Sequence, residues 1–257
     1  MASIFTRRNA PVTKALLIIN ASIYALTAIM GPQFENTVVL LFGLSESGLR
    51  SGFIWQPLTH MFLHGNLFHL LVNMIALWFA GRAVEMWLGP WRYLAIFFVG
   101  GILGGFLQIY SFPGGFLIGA SGGVCAVLLA FTTLEPEMPI TALLFFVLPV
   151  RARAKFLGYG IILVSLILPL AGLDPHVGHF AHLGGALVGF FYGTWLRRTG
   201  RFRSHSAPVR PGSRSANWSP GAGTREMDAI LNKVVRYGLH SLTPDERSRV
   251  EEWNRNS

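Results

Sequence analysis

Apolar residues in this chain fall in long blocks separated by short polar stretches. Six blocks, 13–30, 66–81, 91–110, 120–134, 156–173 and 177–196, suit membrane-crossing helices, which take about 20 residues, or somewhat fewer where the helix starts inside the bilayer. The fourth is short, so its amino end, with Ser121, is predicted to lie below the membrane surface. Backbone outside a helix is tolerated at that depth only where it lines a water-filled cavity or is buried in protein. A recessed, wet pocket above Ser121 follows.

A seventh apolar run, from Pro139 to Val150, is short and bounded by Pro136, Pro139 and Pro149. With six spans, Arg7, Arg8, Lys14, Arg82, Arg92, Arg151, Arg153, Lys155 and the arginines after Leu196 share the side of the amino terminus, and only Arg50 falls opposite. Counting the seventh run as a span would put Arg151, Arg153 and Lys155 outside. The positive-inside rule therefore predicts cytoplasmic termini and makes this run an interfacial or re-entrant segment. The openings of the second, fourth and sixth blocks then meet at one level near the outer face.

Composition agrees with the blocks: 52% hydrophobic and 13% charged residues exclude an ordinary soluble domain. The net charge of +9 sits at the ends of the blocks, which argues against nucleic acid. The basic run Arg197, Arg198, Arg201, Arg203, Arg210 and Arg214 reads as a topology signal or an anionic-lipid contact. A single cysteine, Cys125, allows no intrachain disulfide and no zinc-thiolate cluster. The first block is followed by Gly31-Pro32-Gln33 rather than a small-x-small cleavage site, so it reads as a retained span. No long amphipathic Arg- and Ser-rich leader is present, which favours a bacterial plasma membrane.

The chain divides into a membrane unit at 1–198, a basic Ser-, Pro- and Gly-rich linker at 199–223, and a small helical hairpin at 224–257. In the last part Met227, Ile230, Leu231 and Val234 recur at helical spacing and Gly238 is a stop. Thr243-Pro244-Asp245-Glu246 reads as a capping box with proline at the first helical position.

Two polar side chains stand where lipid would penalise them: Ser121 in Gly119-Ala120-Ser121-Gly122, and His182 in Ala181-His182-Leu183-Gly184-Gly185. Ser121 opens a helix whose unpaired N–H groups and positive dipole end suit an oxyanion. Gly185, Gly189 and Gly193 repeat every four residues below His182, and Gly122, Ala126 and Ala130 form a matching small stripe. Packing the two stripes together brings the imidazole near the serine. None of the six blocks holds an Asp or Glu, so the arrangement is a Ser-His dyad rather than a triad. The bland readings are a serine bonded one turn back and a core histidine. His60, His64 and His69, with His176, His179 and His182, also permit a metal site, although the glutamate of hydrolytic zinc motifs is missing. His69 and Asn73 share a helical face and both donate hydrogen bonds, which suits an oxyanion site.

This pattern resembles the rhomboid family of intramembrane serine proteases. Gly119-Ala120-Ser121-Gly122 is similar to the family's Gly-x-Ser-Gly, and Ala181-His182-Leu183-Gly184-Gly185 followed by Gly189 to its Ala-His-x-x-Gly-x-x-x-Gly. His69-Leu70-Leu71-Val72-Asn73 resembles its His-x-x-x-Asn, and Gly81-Arg82-Ala83-Val84-Glu85 the turn that follows. The resemblance runs from Trp55 to about Gly193. It implies an all-α membrane protein, a six-helix bundle with a short cytoplasmic helical extension. It implies Ser121 as nucleophile and His182 as general base and acid, with His69, Asn73 and the Ser121 N–H holding the oxyanion and Glu85 in a structural role. It also implies substrates that are single-span membrane proteins with helix-breaking residues near the outer boundary, cut beside a small side chain, with no metal or organic cofactor. Trp55-Gln56 stands where many members carry Trp-Arg, a departure that leaves the anchoring of the first outer loop open but not the chemistry. Two other readings predict different behaviour: a non-catalytic relative retains membrane clients, and a histidine-lined metal transporter purifies with stoichiometric metal.

Overall fold

The computed structural model describes residues 10–144, 148–172, 177–202, 229–230, 232–234 and 241–256. Met227, Leu231, Gly238, His176 and nearly all of the 199–223 linker lie outside the described residues. Two compact units are separated, Met1–Ser206 and Ala207–Ser257.

The first unit is built almost wholly of helices. Helix α1 (Pro11–Met30) has proline in its first turn but no capping side chain of its own. Its cap comes from a distant carboxylate: Glu85 accepts the N–H of Val12 at 3.0 Å and, at Thr13, the N–H at 2.8 Å and the hydroxyl at 2.7 Å. A carboxylate suits the positive end of a helix dipole, and this one is buried. Gly31, at φ +84°, ends α1 and opens α2 (Pro32–Phe42). Two short helices follow, α3 (Glu46–Arg50), capped by Ser45, and α4 (Gln56–Thr59), which tightens into a 3₁₀ turn at His60–Phe62.

Asn66 caps α5 (Leu67–Ala76) by accepting the His69 N–H. The chain then passes through a π-helical turn (Leu77–Gly81) into α6 (Arg82–Leu88). The segment Gly81 to Glu85, expected as a turn, is therefore helical. Nothing in Arg82–Leu88 breaks a helix, and the turn falls at Gly89, where φ is +82° and Pro90 starts α7 (Pro90–Ser111).

Helix α8 (Ser121–Leu134) is enclosed, with ten of its fourteen residues buried. Helices α9 (Ala154–Leu170) and α10 (His179–Arg198) complete the unit. Among these helices, Pro11–Met30, Leu67–Leu88 and Pro90–Ser111 are long and apolar enough to cross a membrane, and Ser121–Leu134 and Ala154–Leu170 are shorter apolar helices. Ile18, Ile29, Phe68, Phe79, Val99, Leu163 and Phe191 stand exposed, an exterior that fits lipid rather than water.

The run at 139–150 departs from an all-α fold. It forms an antiparallel pair, β1 (Pro139–Leu144) and β2 (Leu148–Arg153), in the register Pro139 to Arg153 and Leu144 to Leu148. Prolines at 136, 139 and 149 bar a helix because each lacks an N–H, whereas an extended pair satisfies most of the remaining backbone groups across the ladder. Glu137 joins the base of the hairpin to the chain entering α9, with Arg153 and Lys155 each 2.7 Å from its carboxylate.

The middle of the unit is held by missing side chains. A Cβ on Gly185 would strike the carbonyl of Gly122, one on Gly189 the carbonyl of Ala126, and one on Gly100 the Cβ of Ala126. Gly104 lies equally close to the Ala181 carbonyl and the Gly184 backbone. Helices α7, α8 and α10 thus touch backbone to backbone, which multiplies dispersion contacts where lipid supplies no hydrophobic drive.

In the second unit Thr243 and Glu246 make the capping box. The Thr243 N–H donates to Glu246 Oε2 at 2.8 Å and the Glu246 N–H to Thr243 Oγ1 at 3.3 Å. Helix α11 (Pro244–Asn256) starts there.

Candidate active site

Ser121 is the first residue of α8, and the strand of chain leading to it is fixed on both sides. Leu117 and Leu44 exchange backbone hydrogen bonds at 2.8 and 2.9 Å, and the Gly119 N–H donates to the His60 carbonyl at 2.9 Å. Gly119 has φ +129°, a conformation that side chains disfavour. A Cβ there would also lie 2.7 Å from His69 Cε1, 2.9 Å from His69 Nε2 and 3.7 Å from Ser121 Oγ. Glycine therefore lets the His69 imidazole pack directly against the backbone just before Ser121. Ala120 accepts the first bond of the helix, from the Val124 N–H, and the N–H groups before it have no acceptor within the helix.

His182 lies one turn into α10. Its Nε2 is 2.9 Å from Ser121 Oγ, a hydrogen bond that the packing of Gly185 on Gly122 brings within reach. With Ser121 Oγ–H as donor, Nε2 is the acceptor and the ring proton sits on Nδ1. The predicted convergence of the two stripes is thus observed at Gly122–Gly185 and Ala126–Gly189. Gly193 meets the Thr133 side chain more closely than Ala130.

Of the other two expected site residues, His69 reaches the Ser121 loop and Asn73 is linked to it through neighbours. Asn73 is buried, and its Nδ2 donates to the His69 carbonyl at 3.1 Å and to His64 Nε2 at 3.2 Å. The His64 and His69 rings meet edge to face at 5.0 Å.

Of the remaining histidines, His60 has a hydrogen-bond partner and neither ring nitrogen of His179 has one among the described residues. His60 Nδ1 donates to the Gln56 carbonyl at 3.0 Å, and the buried His179 ring lies 6.1 Å from that of His182. Among the described residues no three His, Cys, Asp or Glu side chains are arranged to hold a metal ion. His176, one of the metal candidates, is outside them.

Two glutamines fix the surroundings of the site: Gln56, where the sequence left the loop's anchoring open, and Gln108, which the sequence reading did not name. Gln56 is fully buried, accepts the Ser45 N–H at 3.2 Å and donates to the Leu40 carbonyl at 3.2 Å. Beside it Trp55 Nε1 donates to Leu41 and Thr59 Oγ1 to Phe42, so Gln56 anchors the outer loop without a cation. Gln108 on α7 accepts from the first turn of α10 and lines a cavity of about 290 Å³ with Phe112, Phe116, Leu117 and Gly178. Its signal was legible, since a lone amide in an apolar helix needs a partner.

The Rhomboid domain model matches residues 51–199. The chain is similar to the rhomboid protease GlpG of Salmonella choleraesuis (strain SC-B67), 28% identical over 186 residues that cover 71% of this chain and 62% of that protein. It is also similar to the rhomboid protease GluP of Bacillus subtilis (strain 168), 28% identical over 263 aligned positions that cover 98% of this chain and 45% of that protein. The chain thus spans less than two thirds of the length of these relatives. Because the domain match takes in more than half of its residues, this multi-pass membrane protein belongs to the Rhomboid family.

Proposed function

We propose that this protein is an intramembrane serine endopeptidase that cuts single-span membrane proteins near the outer face of a bacterial plasma membrane. The observation that carries this reading is the 2.9 Å contact between His182 Nε2 and Ser121 Oγ at the opening of a helix with unspent N–H groups. Six helical segments cross the bilayer, with α8 starting below its outer surface and both termini cytoplasmic. Arg82, Arg92, Arg151, Arg153 and Lys155 then share the cytoplasmic side. Residues 1–198 make the membrane unit, 199–223 a basic linker and 224–257 a small helical extension.

In the first half of the reaction Ser121 Oγ attacks the substrate carbonyl while its proton passes to His182 Nε2. The carbonyl oxygen becomes an anion, held by the Ser121 N–H, the side chain of His69 and that of Asn73, which gives up one of its two Nδ2 bonds, to the His69 carbonyl or to His64 Nε2, to reach it. The packing of the His69 imidazole against Gly119, close to Ser121 Oγ, supports that role for His69. Loss of one such donor lowers turnover by about a hundredfold to a thousandfold. The C–N bond then breaks as His182 returns the proton to the leaving amine. Water next gives a proton to His182, its oxygen attacks the acyl carbon, and Ser121 leaves with that proton. The cycle requires no metal or organic cofactor. A substrate helix must unwind first, since its peptide groups are bonded within the helix, which is why helix-breaking residues near the outer boundary mark a substrate.

The test is cleavage of a single-span protein with such a residue, co-reconstituted with the full chain in vesicles. The parent yields two fragments, and Ser121→Ala and His182→Ala each fall by about a thousandfold or more. Cleavage by both variants at the parental rate overturns the reading.

A further inference from the structure

Helix α10 carries His182 in its first turn, yet nothing in its own sequence caps that turn. Its N-cap residue is Gly178, which has no side chain to offer. The first N–H groups of a helix are unsatisfied unless a partner is supplied, and inside an apolar protein that omission is costly. The partner comes from another helix. Gln108 Oε1 accepts the N–H of Phe180 at 3.0 Å and that of Ala181 at 3.3 Å, across 72 and 73 positions of sequence.

Gln108 is one turn above Gly104 on α7, so the two residues share a helix face. Gly104 admits the Ala181 carbonyl against its backbone. Between them, Gly104 and Gln108 meet both backbone polar groups of Ala181, the residue immediately before His182. The His182 N–H itself donates to the Gly178 carbonyl at 3.0 Å. The turn is therefore fixed along the α10 axis and in rotation about it.

We propose that Gln108 is a positioning residue: as a cap supplied in trans, it sets the height and rotation of the His182 turn so that Nε2 meets Ser121 Oγ. This inference rests on the dyad reading above. It assigns Gln108 no contact with substrate. What matters is an acceptor oxygen at the end of a side chain of this length, not the amide nitrogen.

The experiment is time-resolved labelling of the full-length protein in detergent with a fluorophosphonate, resolved into a maximal rate and a half-saturating probe concentration. Gln108→Met keeps the length and removes the acceptor. It is expected to lower the maximal rate by about tenfold or more, because small misplacements of a catalytic group are costly, and to leave half-saturation unchanged. Gln108→Glu keeps an oxygen at the same position and is expected to return the rate to within a few fold of the parent. Parental labelling by Gln108→Met overturns the proposal, as does a Gln108→Glu variant impaired as deeply as Gln108→Met at unchanged thermal stability. If Gln108→Met is not recovered folded, Gln108→Asn asks the same question by drawing the oxygen back one methylene, with slowed labelling expected and parental labelling contradicting. Failure of the parent to label, or labelling of Ser121→Ala, strikes the dyad itself and is read before any Gln108 variant.

Discussion

The seam between α8 and α10 and the loop from Leu40 to Thr59 both hold a part of the site in place, by opposite means. In the seam the fixing is done by absence: Gly185 and Gly189 let the carbonyls of Gly122 and Ala126 approach where any Cβ would sit. In the loop it is done by presence: Gln56 spends its oxygen on Ser45 and its nitrogen on Leu40, and its amide packs directly on Gly48. A seam made of backbone tolerates no added atom and is indifferent to hydrogen-bonding chemistry. A loop made of hydrogen bonds accepts changes of bulk at its edges but not the loss of a donor or acceptor.

The comparison breaks first at the seam. Gly189→Ala adds only the Cβ that the Ala126 carbonyl excludes, so the helices must part. The expected cost is about 1–3 kcal/mol or more, measured by unfolding in mixed micelles, together with loss of most serine reactivity as His182 is carried away from Ser121. Parental stability in this variant would mean that the seam has room for a methyl group and is not closed by backbone contact.

A smaller effect is expected in the loop. Gln56→Leu leaves the buried Ser45 N–H and Leu40 carbonyl without their partner and is expected to cost about 1–3 kcal/mol, while serine reactivity falls only a few fold because α8 and α10 are untouched. Limited proteolysis between α2 and α4 checks the loop, and probe labelling checks the dyad. A loss of labelling as deep as that of Gly189→Ala would erase the distinction between the two regions.

The smallest effect concerns the base of the β-hairpin. The Lys155 ammonium bonded to Glu137, with Arg153 beside it, holds that carboxyl below the usual carboxylate range. A depressed folded value means that the contact stabilises above the unfolded glutamate value of about 4.3 and is lost as pH falls through the folded value. Hydrogen exchange in β1 and β2 should therefore accelerate only in acid, below about pH 4.3, relative to α8 at the same pH. Glu137→Gln should remove that pH dependence, and an equal acceleration in α8 would contradict it.

The sequence made the seam legible because glycines at four-residue spacing in an apolar block have few other uses, and the same stripes carried Ser121 and His182 to each other. The capping box at Thr243 and Glu246 was legible for a similar reason, since its two bonds lie within four residues. What escaped was whatever depends on a distant partner. Gln108 caps a helix more than seventy residues away, and Glu85 caps α1 across a comparable gap. The run at 139–150 showed its prolines but not the strand pairing they permit, because an apolar run with helix breakers specifies what it cannot form. The turn at residues 81–85 came only from the family resemblance, whereas the positive φ that ends the helix belongs to Gly89.

The most direct measurement of the central claim is fluorophosphonate labelling of the purified parent, Ser121→Ala and His182→Ala proteins, each first shown to be folded by its melting transition. Labelling of the parent alone is the predicted result, since only a serine with His182 as its base is nucleophilic enough to react. A folded parent that stays unlabelled, or a His182→Ala protein that labels as fast as the parent, would contradict the dyad.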